Sequence, residues 1–312
     1  MRRIPAETSI SVKLLDYTRP CWLLAGAAAK MSASRRGVSE SLSLEAGRLE
    51  EWVERVVLQG FTSVLEHCKY TFEVVCSRVC SHQLVRHRVA SYTQQSMRWS
   101  EGFLREMVLA VCEALGRSCP PRPRSRSDYL AYASVLEEAL GALGDAELLE
   151  AATRAYVIPP SVTGCGARLR EHLSALYRAT AAYYRLLAMG VPREDARYAI
   201  PHSVKTRILV TMNARELLEV FLPLRLCTRA QWEIRAVAWA VLRELRRVEP
   251  LLWQWAGPRC LRLAQLAGAR CTLDELMEGR CRLPLEKCPE GVAREAIPRC
   301  VRAAAEAATP PW

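Results

Sequence analysis

The sequence predicts a mixed α+β fold, a small mixed sheet packed with long helices. Two observations carry this reading. Short stretches rich in β-branched and aromatic residues, at 10–17, 70–76 and 205–212, are separated by much longer runs with apolar residues at helical spacing. Half of the 312 residues are hydrophobic, enough to bury a substantial core. With no internal repeat, a few strands alternating with long helices argue against a helical bundle or a β-sandwich.

Taken in order, ISVKLLDY at 10–17 alternates apolar and polar residues as a first strand, and the Ala-rich 22–30 follows as a helix. Gly37 and its neighbouring serines mark a loop. A helix over 43–58 opens on Ser43 as its cap and stops at Gly60. YTFEVVC at 70–76 is a second strand, and 77–87 a helix leading into the densest polar stretch of the chain. A helical excursion then spans 98–157, with helices at 101–115, 129–143 and 147–156 around CPPRPRSRS at 119–127, a basic, proline-rich, exposed loop. Residues 166–189 form a long amphipathic helix, broken at Gly190-Val191-Pro192, and 192–200 a short helical turn. KTRILVTM at 205–212 is a third strand, 213–221 a helix, and 230–255 a long helix closed by Gly257-Pro258. Periodicity weakens beyond 259. The organisation expected is one domain over 1–290, with a helical insertion at about 101–160, and a C-terminal tail at 291–312.

Lysine and arginine outnumber aspartate and glutamate by 44 to 33, a formal charge of +11, which favours an acidic partner such as a nucleotide without choosing among such partners. The start of the chain lacks the basic, apolar and cleavage regions of a secretory signal, which gives a cytoplasmic expectation despite thirteen cysteines. No apolar run reaches the ~20 residues of a membrane span. Of the five cysteines after 259 (Cys260, Cys271, Cys281, Cys288, Cys300), none forms a C-x-x-C pair or has a nearby histidine, so no metal is assigned and at least one disulfide is expected among them. Cys76 and Cys80 read as small core residues.

The chemistry concentrates in QLVRHRVASYTQQSMRW at 83–99. Arg86, His87 and Arg88 are followed by Ser91, Tyr92, Thr93, Gln94, Gln95, Ser96 and Arg98, and nearly every one of these can hydrogen-bond an anion or a ring edge. An isolated RHR triplet in a solvated basic loop is the commoner case, but this one sits in a longer pattern.

That pattern, RHR with Ser91, Ser96 and Arg98 behind it, resembles the signature of the flavin-dependent thymidylate synthases. Ser63-Val64-Leu65-Glu66-His67 and the run 70–85 are similar to what precedes the signature in that family. So, in the same order, are Pro192 to Arg197, Asn213-Ala214-Arg215, Leu224-Arg225 and Ala230 to Arg235. The resemblance covers roughly 10–100 and 190–290. It implies an FAD enzyme that methylates dUMP to dTMP with 5,10-methylenetetrahydrofolate as carbon donor and NAD(P)H as electron source, acting as a homotetramer with shared active sites. Carried over by position, Ser63, Arg86, His87, Arg88, Gln94, Asn213, Ala214 and Arg215 contact FAD. Gln83, Leu84, Val85, Arg86, Gln94, Gln95, Ser96, Met97, Arg98, Arg197 and Arg225 contact dUMP. The residue matching Arg225 favours ionisation of the uracil N3, a role suited to a fixed cation that keeps its own proton, so Arg225 is the expected catalytic residue. Pro20-Cys21-Trp22 replaces the Pro-Cys-His context of the cysteine-dependent enzymes, and no base neighbours Ser96, so neither is expected as nucleophile.

Three positions depart from the family pattern. Phe61 stands where many members have histidine, Thr93-Gln94 replaces an Asn-Glu pair, and the helix after Asn213 is one residue longer than usual before Arg225, leaving Glu219 or Val220 at a further FAD position. Two alternatives stay open at this level: a diverged pyrimidine-nucleotide flavoprotein with altered group transfer, and a basic nucleic-acid-binding protein using Arg122 to Arg126, which has no aromatic interleaving or nucleic-acid module to support it.

Overall fold

The structure is a computed structural model and describes residues 10–35, 37–43, 46–163 and 166–307. In chain order these form β1 (Ser11–Tyr17), α1 (Cys21–Ser32), α2 (Val38–Leu42), α3 (Ala46–Gln59), β2 (Lys69–Ser77), α4 (Arg78–Leu84) and β3 (Ala90–Gln94). Next come α5 (Gly102–Ala114), α6 (Arg126–Ala142), α7 (Asp145–Ala155), α8 (Pro160–Thr163), α9 (Gly166–Ala188), α10 (Arg193–Ala196) and β4 (Lys205–Asn213). The rest is helical: α11 (Ala214–Glu216), α12 (Leu222–Arg225), α13 (Trp232–Val248), α14 (Pro250–Trp253), α15 (Arg259–Leu266), α16 (Leu273–Glu278) and α17 (Ile297–Glu306).

The α+β expectation holds, and the sheet is antiparallel throughout rather than mixed, in the order β1-β2-β4-β3. The alternation in YTFEVVC and KTRILVTM explains its two faces, since a strand points successive side chains to opposite sides. Tyr70, Phe72, Val74 and Cys76 of β2 and Ile208, Val210 and Met212 of β4 are buried on one face with Val237 and Val241 of α13. The other face is polar and half-open, with Thr71 Oγ1 and Thr211 Oγ1 paired at 2.9 Å.

A second core fills the helical body between β3 and β4. Leu104, Met107 and Val108 of α5, Tyr132 and Leu136 of α6, Leu148 of α7 and Leu173, Tyr177 and Tyr184 of α9 pack together there. This body therefore runs through α9, beyond residue 160. It is stitched to β4 by Lys205 Nζ, which donates to Thr153 O at 2.5 Å, and by Val157 N–H to Ser203 O at 2.9 Å. The 119–127 segment is a folded loop, tied by a Cys112–Cys119 disulfide and by the Ser125–Asp128 capping box of α6.

Three further readings change. Residues 90–94, expected only as part of a polar stretch, form the edge strand β3, because β4 pairs with their backbone. The helix over 230–255 divides at Glu249, because Pro250 cannot supply the N–H that would continue α13. The segment beyond 259 carries α15, α16 and α17 with a turn-rich stretch between the last two, and Ile297, Val301 and Ala304 of α17, spaced four and three apart, are buried in the sheet-side core. The disulfide expected among the late cysteines is Cys271–Cys281, and Cys21–Cys68 joins α1 to the start of β2. The Ser43 cap adjoins 44–45, which lie outside the described residues; α3 begins at Ala46.

Candidate active site

Arg225 closes α12, and its guanidinium points back at the RHR segment. Its Nε–H donates to His87 Nε2 at 3.1 Å and an Nη2–H to the Gln83 carbonyl at 3.4 Å. On the other side of the imidazole, His87 Nδ1 faces Glu216 Oε1 at 3.4 Å, and the Phe221 ring meets it edge-on at 5.0 Å. His87 is only 4% exposed, so it is a positioning residue inside the protein rather than part of an open binding surface. Nε2 can accept from Arg225 only when unprotonated, and burial, followed by the Arg225 charge, lowers the His87 pKa to about 4. Burial raises the Glu216 carboxyl and lowers the Arg225 guanidinium from their ordinary values, as expected where solvent is withdrawn.

The local folding explains this convergence. α4 is capped by Ser77, whose Oγ accepts from Cys80 N–H at 3.0 Å, and Glu233 of α13 accepts from both Ser77 N–H and Ser77 Oγ–H at 2.6 Å. After α4 the turn is held by Tyr92 of β3, whose hydroxyl donates to the Leu84 and His87 carbonyls at 2.8 Å. This leaves Arg86 and Arg88 exposed with His87 turned inward between them.

The extra residue before Arg225 has a structural outlet. Leu217–Phe221 forms a π turn between α11 and α12, which takes up one residue within a continuous helical run. Glu219 lies in that turn and is held by Arg262, with Nε to Oε2 at 2.8 Å and Nη2 to Oε1 at 2.6 Å, so its carboxylate is already engaged.

An open cleft of about 440 Å³ lies beside this run, lined by Gly60, Thr62, Glu66, Val89, Asn213, Arg215, Glu216, Glu219, Val220 and Leu266. Of the residues expected at FAD, Asn213 and Arg215 line it, Ser63 is exposed on the adjoining short helix, and Arg86 and Arg88 precede Val89. Asn213 caps α11 by accepting from Glu216 N–H at 2.8 Å, and Arg215 pairs with Glu66. Ala214 is fully buried and donates its N–H to Cys68 O at 2.9 Å, which removes both its side chain and its donor from the cleft. Amide, hydroxyl and guanidinium donors around an open cleft fit a polar, phosphate-bearing cofactor.

The residues expected at dUMP divide. Arg98 pairs with Glu194 at 3.0 Å, and Arg197 Nε–H donates to the Glu194 carbonyl at 3.0 Å, so two arginines from distant parts of the sequence meet at one residue. Ser96 is exposed, its Oγ accepting from Arg98 N–H at 3.2 Å. Gln95 donates to Ser100 Oγ at 2.8 Å, while Gln94 donates to Ser81 Oγ at 2.9 Å and to Thr206 Oγ1 at 3.1 Å. Gln94 thus braces β3 against α4 and β4, with both amide hydrogens engaged. Gln83 donates to Gln231 Oε1 at 3.5 Å. Leu84 is buried in the sheet-side core, Met97 packs on the helical body, and Val85 is 38% exposed.

Sequence reasoning missed Glu216 and Arg78, and singled out Tyr92 as a ligand-facing hydroxyl where it braces the turn. The spacing Asn213-x-x-Glu216 is a helix-start signature that would have drawn attention to the glutamate. Arg78 stands at the start of α4; burial lowers its pKa first and the nearby Arg197 charge second, so these guanidiniums share a neighbourhood. Its signal was Arg78 and His82 at an interval of four on one face of the helix that leads into the RHR segment. No thiol is poised for attack here: Cys21 is in a disulfide, and the partner thiol Cys76 together with burial raises the Cys80 pKa well above its usual value.

Fold and site define an α+β protein that sets one arginine on a buried histidine, gathers further arginines at Glu194 and opens a polar cleft beside them, an arrangement suited to an anionic ligand such as a nucleotide. Comparison with known proteins gives the family. Residues 13–251 match the family described as thymidylate synthase complementing protein. The chain is 46% identical over 312 residues to the flavin-dependent thymidylate synthase of Aeropyrum pernix, covering 98% of this chain and 96% of that one. It is 37% identical over 298 residues to that of Saccharolobus solfataricus, covering 94% and 95%. In structure it resembles the Helicobacter pylori flavin-dependent thymidylate synthase complexed with FAD and dUMP, with TM-score 0.56 and 24% identity over 79% of this chain and 99% of that one. A Streptomyces cacaoi UMP/dUMP methylase bound with 5-Br dUMP shares the fold at TM-score 0.56 and 22% identity, over 78% and 93%. The chain belongs to the flavin-dependent thymidylate synthase family.

Proposed function

We propose that this chain methylates dUMP to dTMP with FAD as cofactor, 5,10-methylenetetrahydrofolate as carbon donor and NAD(P)H as reductant. The observation that carries the reading, beside family membership, is Arg225 held by a buried, neutral His87. FAD, held by Asn213 and Arg215 in the cleft with Ser63, Arg86 and Arg88 beside it, would supply the redox chemistry. The presence of FAD and dUMP in the Helicobacter pylori relative supports both ligands.

In this reading Arg98 and Arg197, with Arg78 beside them, hold the dUMP phosphate, exchanging their contacts with Glu194 for the stronger charge of the ligand. Ser96 adds a hydroxyl donor. The Arg225 guanidinium faces the pyrimidine and stabilises negative charge at N3; because His87 and Gln83 fix its direction beforehand, little reorganisation is needed when that charge develops. Glu216 holds the far side of the imidazole, keeping its proton on Nδ1. His87 and Gln94 act by positioning.

The unit proposed is a homotetramer in the cytoplasm, with sites shared between subunits and one synthase domain that carries the helical insertion and extends past residue 290 to include α17. Trp99 at 77% exposure and Tyr198 at 86%, next to Arg98 and Arg197, supply apolar surface for a subunit contact. No helix among the described residues is long and apolar enough to cross a membrane.

The test is to purify the protein, read its flavin absorbance, and assay dTMP formation from dUMP, methylenetetrahydrofolate and NAD(P)H. Flavin absorbance with dTMP as product supports the proposal. Bound flavin and dUMP without dTMP would replace it with the diverged-flavoprotein reading, and colourless protein with steeply salt-dependent nucleic-acid binding with the nucleic-acid one.

A further inference from the structure

Four cysteines that are far apart in sequence line a single cavity behind α12. Cys227 follows the Arg225 turn, Cys260 lies in the first turn of α15, Cys288 opens the Cys288-Pro289-Glu290-Gly291 turn, and Cys300 is on α17. All four are free thiols, in a chain whose other described cysteines include three disulfide pairs. We propose that Cys227, Cys260, Cys288 and Cys300 form a tetrathiolate site for a thiophilic divalent metal, zinc in the first place, which fastens the C-terminal helix to the segment carrying Arg225.

Without a metal, burial and then the neighbouring Cys288 push the Cys260 thiol up to about 12, so the bound cation must displace its proton, and hydrogen-bond donors stand ready for the sulfurs. Backbone N–H groups point at three of the sulfurs: Arg229 N–H at Cys227 Sγ at 3.5 Å, Val292 N–H at Cys288 Sγ at 3.3 Å, and Leu261 N–H at Cys260. Such donors stabilise a thiolate, the form that binds metal. Thr228 Oγ1 meets the fourth, Cys300 Sγ, at 3.2 Å. The cavity has about 50 Å³ of free space, more than one ion requires. Cys260 is close enough to Cys288, Cys227 and Cys300 for their charges to act on it. No three of these sulfurs lie within 4.8 Å of one another, so cysteine side-chain rotation must draw them to the Zn–S distance of ~2.3 Å.

The surroundings suit the charge that results. Binding M²⁺ by four thiols forms four M–S bonds and releases four protons, leaving a site of charge −2 with no change of oxidation state. Arg259 and Glu290 line the same cavity, offsetting each other, and the Arg235 guanidinium lies near enough to Cys227 to interact electrostatically. Arg235 Nε is buried without a hydrogen-bond partner, a donor that a sulfur-rich anionic centre beside it would satisfy. The other cluster of candidate ligands, Cys76, Cys80 and Glu233, has sulfur and oxygen atoms within 4.8 Å, but both Glu233 oxygens already accept from Ser77. The spacing rule that set the late cysteines apart from metal binding looks for C-x-x-C; here the fold assembles the ligands singly.

The site stands apart from the flavin reading, and so does its test. Full-length protein from zinc-supplemented cells, purified without chelator, is measured for zinc and iron by elemental mass spectrometry. The expected result is stoichiometric metal that is lost in Cys260→Ser/Cys288→Ser and kept in Cys76→Ser. Absence of metal, or its loss in Cys76→Ser with retention in the double variant, would overturn the proposal. Alkylation of the wild-type protein with peptide mapping removes dependence on variants that fail to fold. The four cysteines should be protected until a chelator is added and then react together; finding them joined as disulfides, or equally reactive before chelation, would also overturn it.

Discussion

Arg225 depends on a histidine that must stay neutral. In the unfolded chain the His87 imidazole takes up a proton as pH falls through ~6.5, whereas the folded protein holds it unprotonated down to about 4. The unfolded state therefore binds more protons in this window, and stability rises with pH across it. We expect the His87 contribution to fall by ~3 kcal/mol as pH drops from ~6.5 to ~4, a loss missing from His87→Gln. Denaturant unfolding of both proteins at neutral and acid pH measures it, and an equal loss in the variant would assign the effect elsewhere. Arg262, 4% exposed, is the second sensitive side chain, because it holds Glu219 in the π turn and the Val57 carbonyl at 2.7 Å. Arg262→Ala strands the partly buried Glu219 carboxylate and should cost ~3–5 kcal/mol of unfolding free energy; a cost below ~1 kcal/mol would mean that the pair behaves as a surface one. At this scale the sequence was informative about residue types and poor about their direction. The RHR triplet was conspicuous, yet only the Tyr92 hydroxyl bonds to the surrounding turn reveal that its middle member is turned inward.

The π turn at Leu217–Phe221 controls the phase of Arg225. A π turn accommodates one inserted residue without rotating the helix beyond it, so removing one residue there restores an α turn with the flanks still in register. Deleting the exposed Val220 should therefore leave a folded protein whose Arg225 still contacts His87. The check is dTMP turnover beside circular dichroism: folded but inactive protein would show that the turn has a role beyond absorbing the insertion. The extra residue was legible in sequence and its outlet was not, since a π turn has no pattern of its own. β2 and β4 were readable because they are central strands with alternating apolar faces. ASYTQ of β3 has polar, half-exposed side chains on an edge strand, which resembles a loop until β4 pairs with it. α17 was overlooked for a different reason: Ile297, Val301 and Ala304 do recur at helical spacing on one face, but over only ten residues, a signal too brief to stand out in a segment otherwise read as irregular.

Among the described residues, two cores meet where the chain enters β4, one under the sheet with Ile208, Val210 and Met212 and one within the helical body with Ile200 and Val204. The Cys21–Cys68 bridge closes a sequence separation of 47 residues in the sheet-side core. Its removal in Cys21→Ala/Cys68→Ala should lower stability by ~2–4 kcal/mol, read by denaturant unfolding; an unchanged midpoint would show that the bridge contributes nothing in solution. The guanidinium groups of Arg98, Arg197 and Arg225 come from widely separated segments, so only the fold could show that Arg98 and Arg197 meet at Glu194 and Arg225 meets His87. Their neighbours Trp99 and Tyr198 lead to the expectation that Trp99→Glu breaks the assembly into smaller species on native mass spectrometry, with turnover falling in parallel; an intact oligomer would place the subunit contact elsewhere.

The most direct measurement is single-turnover conversion of dUMP to dTMP by anaerobically reduced, flavin-loaded protein supplied with methylenetetrahydrofolate, comparing wild type with Arg225→Ala. The account predicts dTMP in the wild type and its loss in the variant, while flavin absorbance and the unfolding midpoint stay close to wild type. Undiminished dTMP formation in Arg225→Ala would contradict the role of the histidine-held arginine on which the account rests.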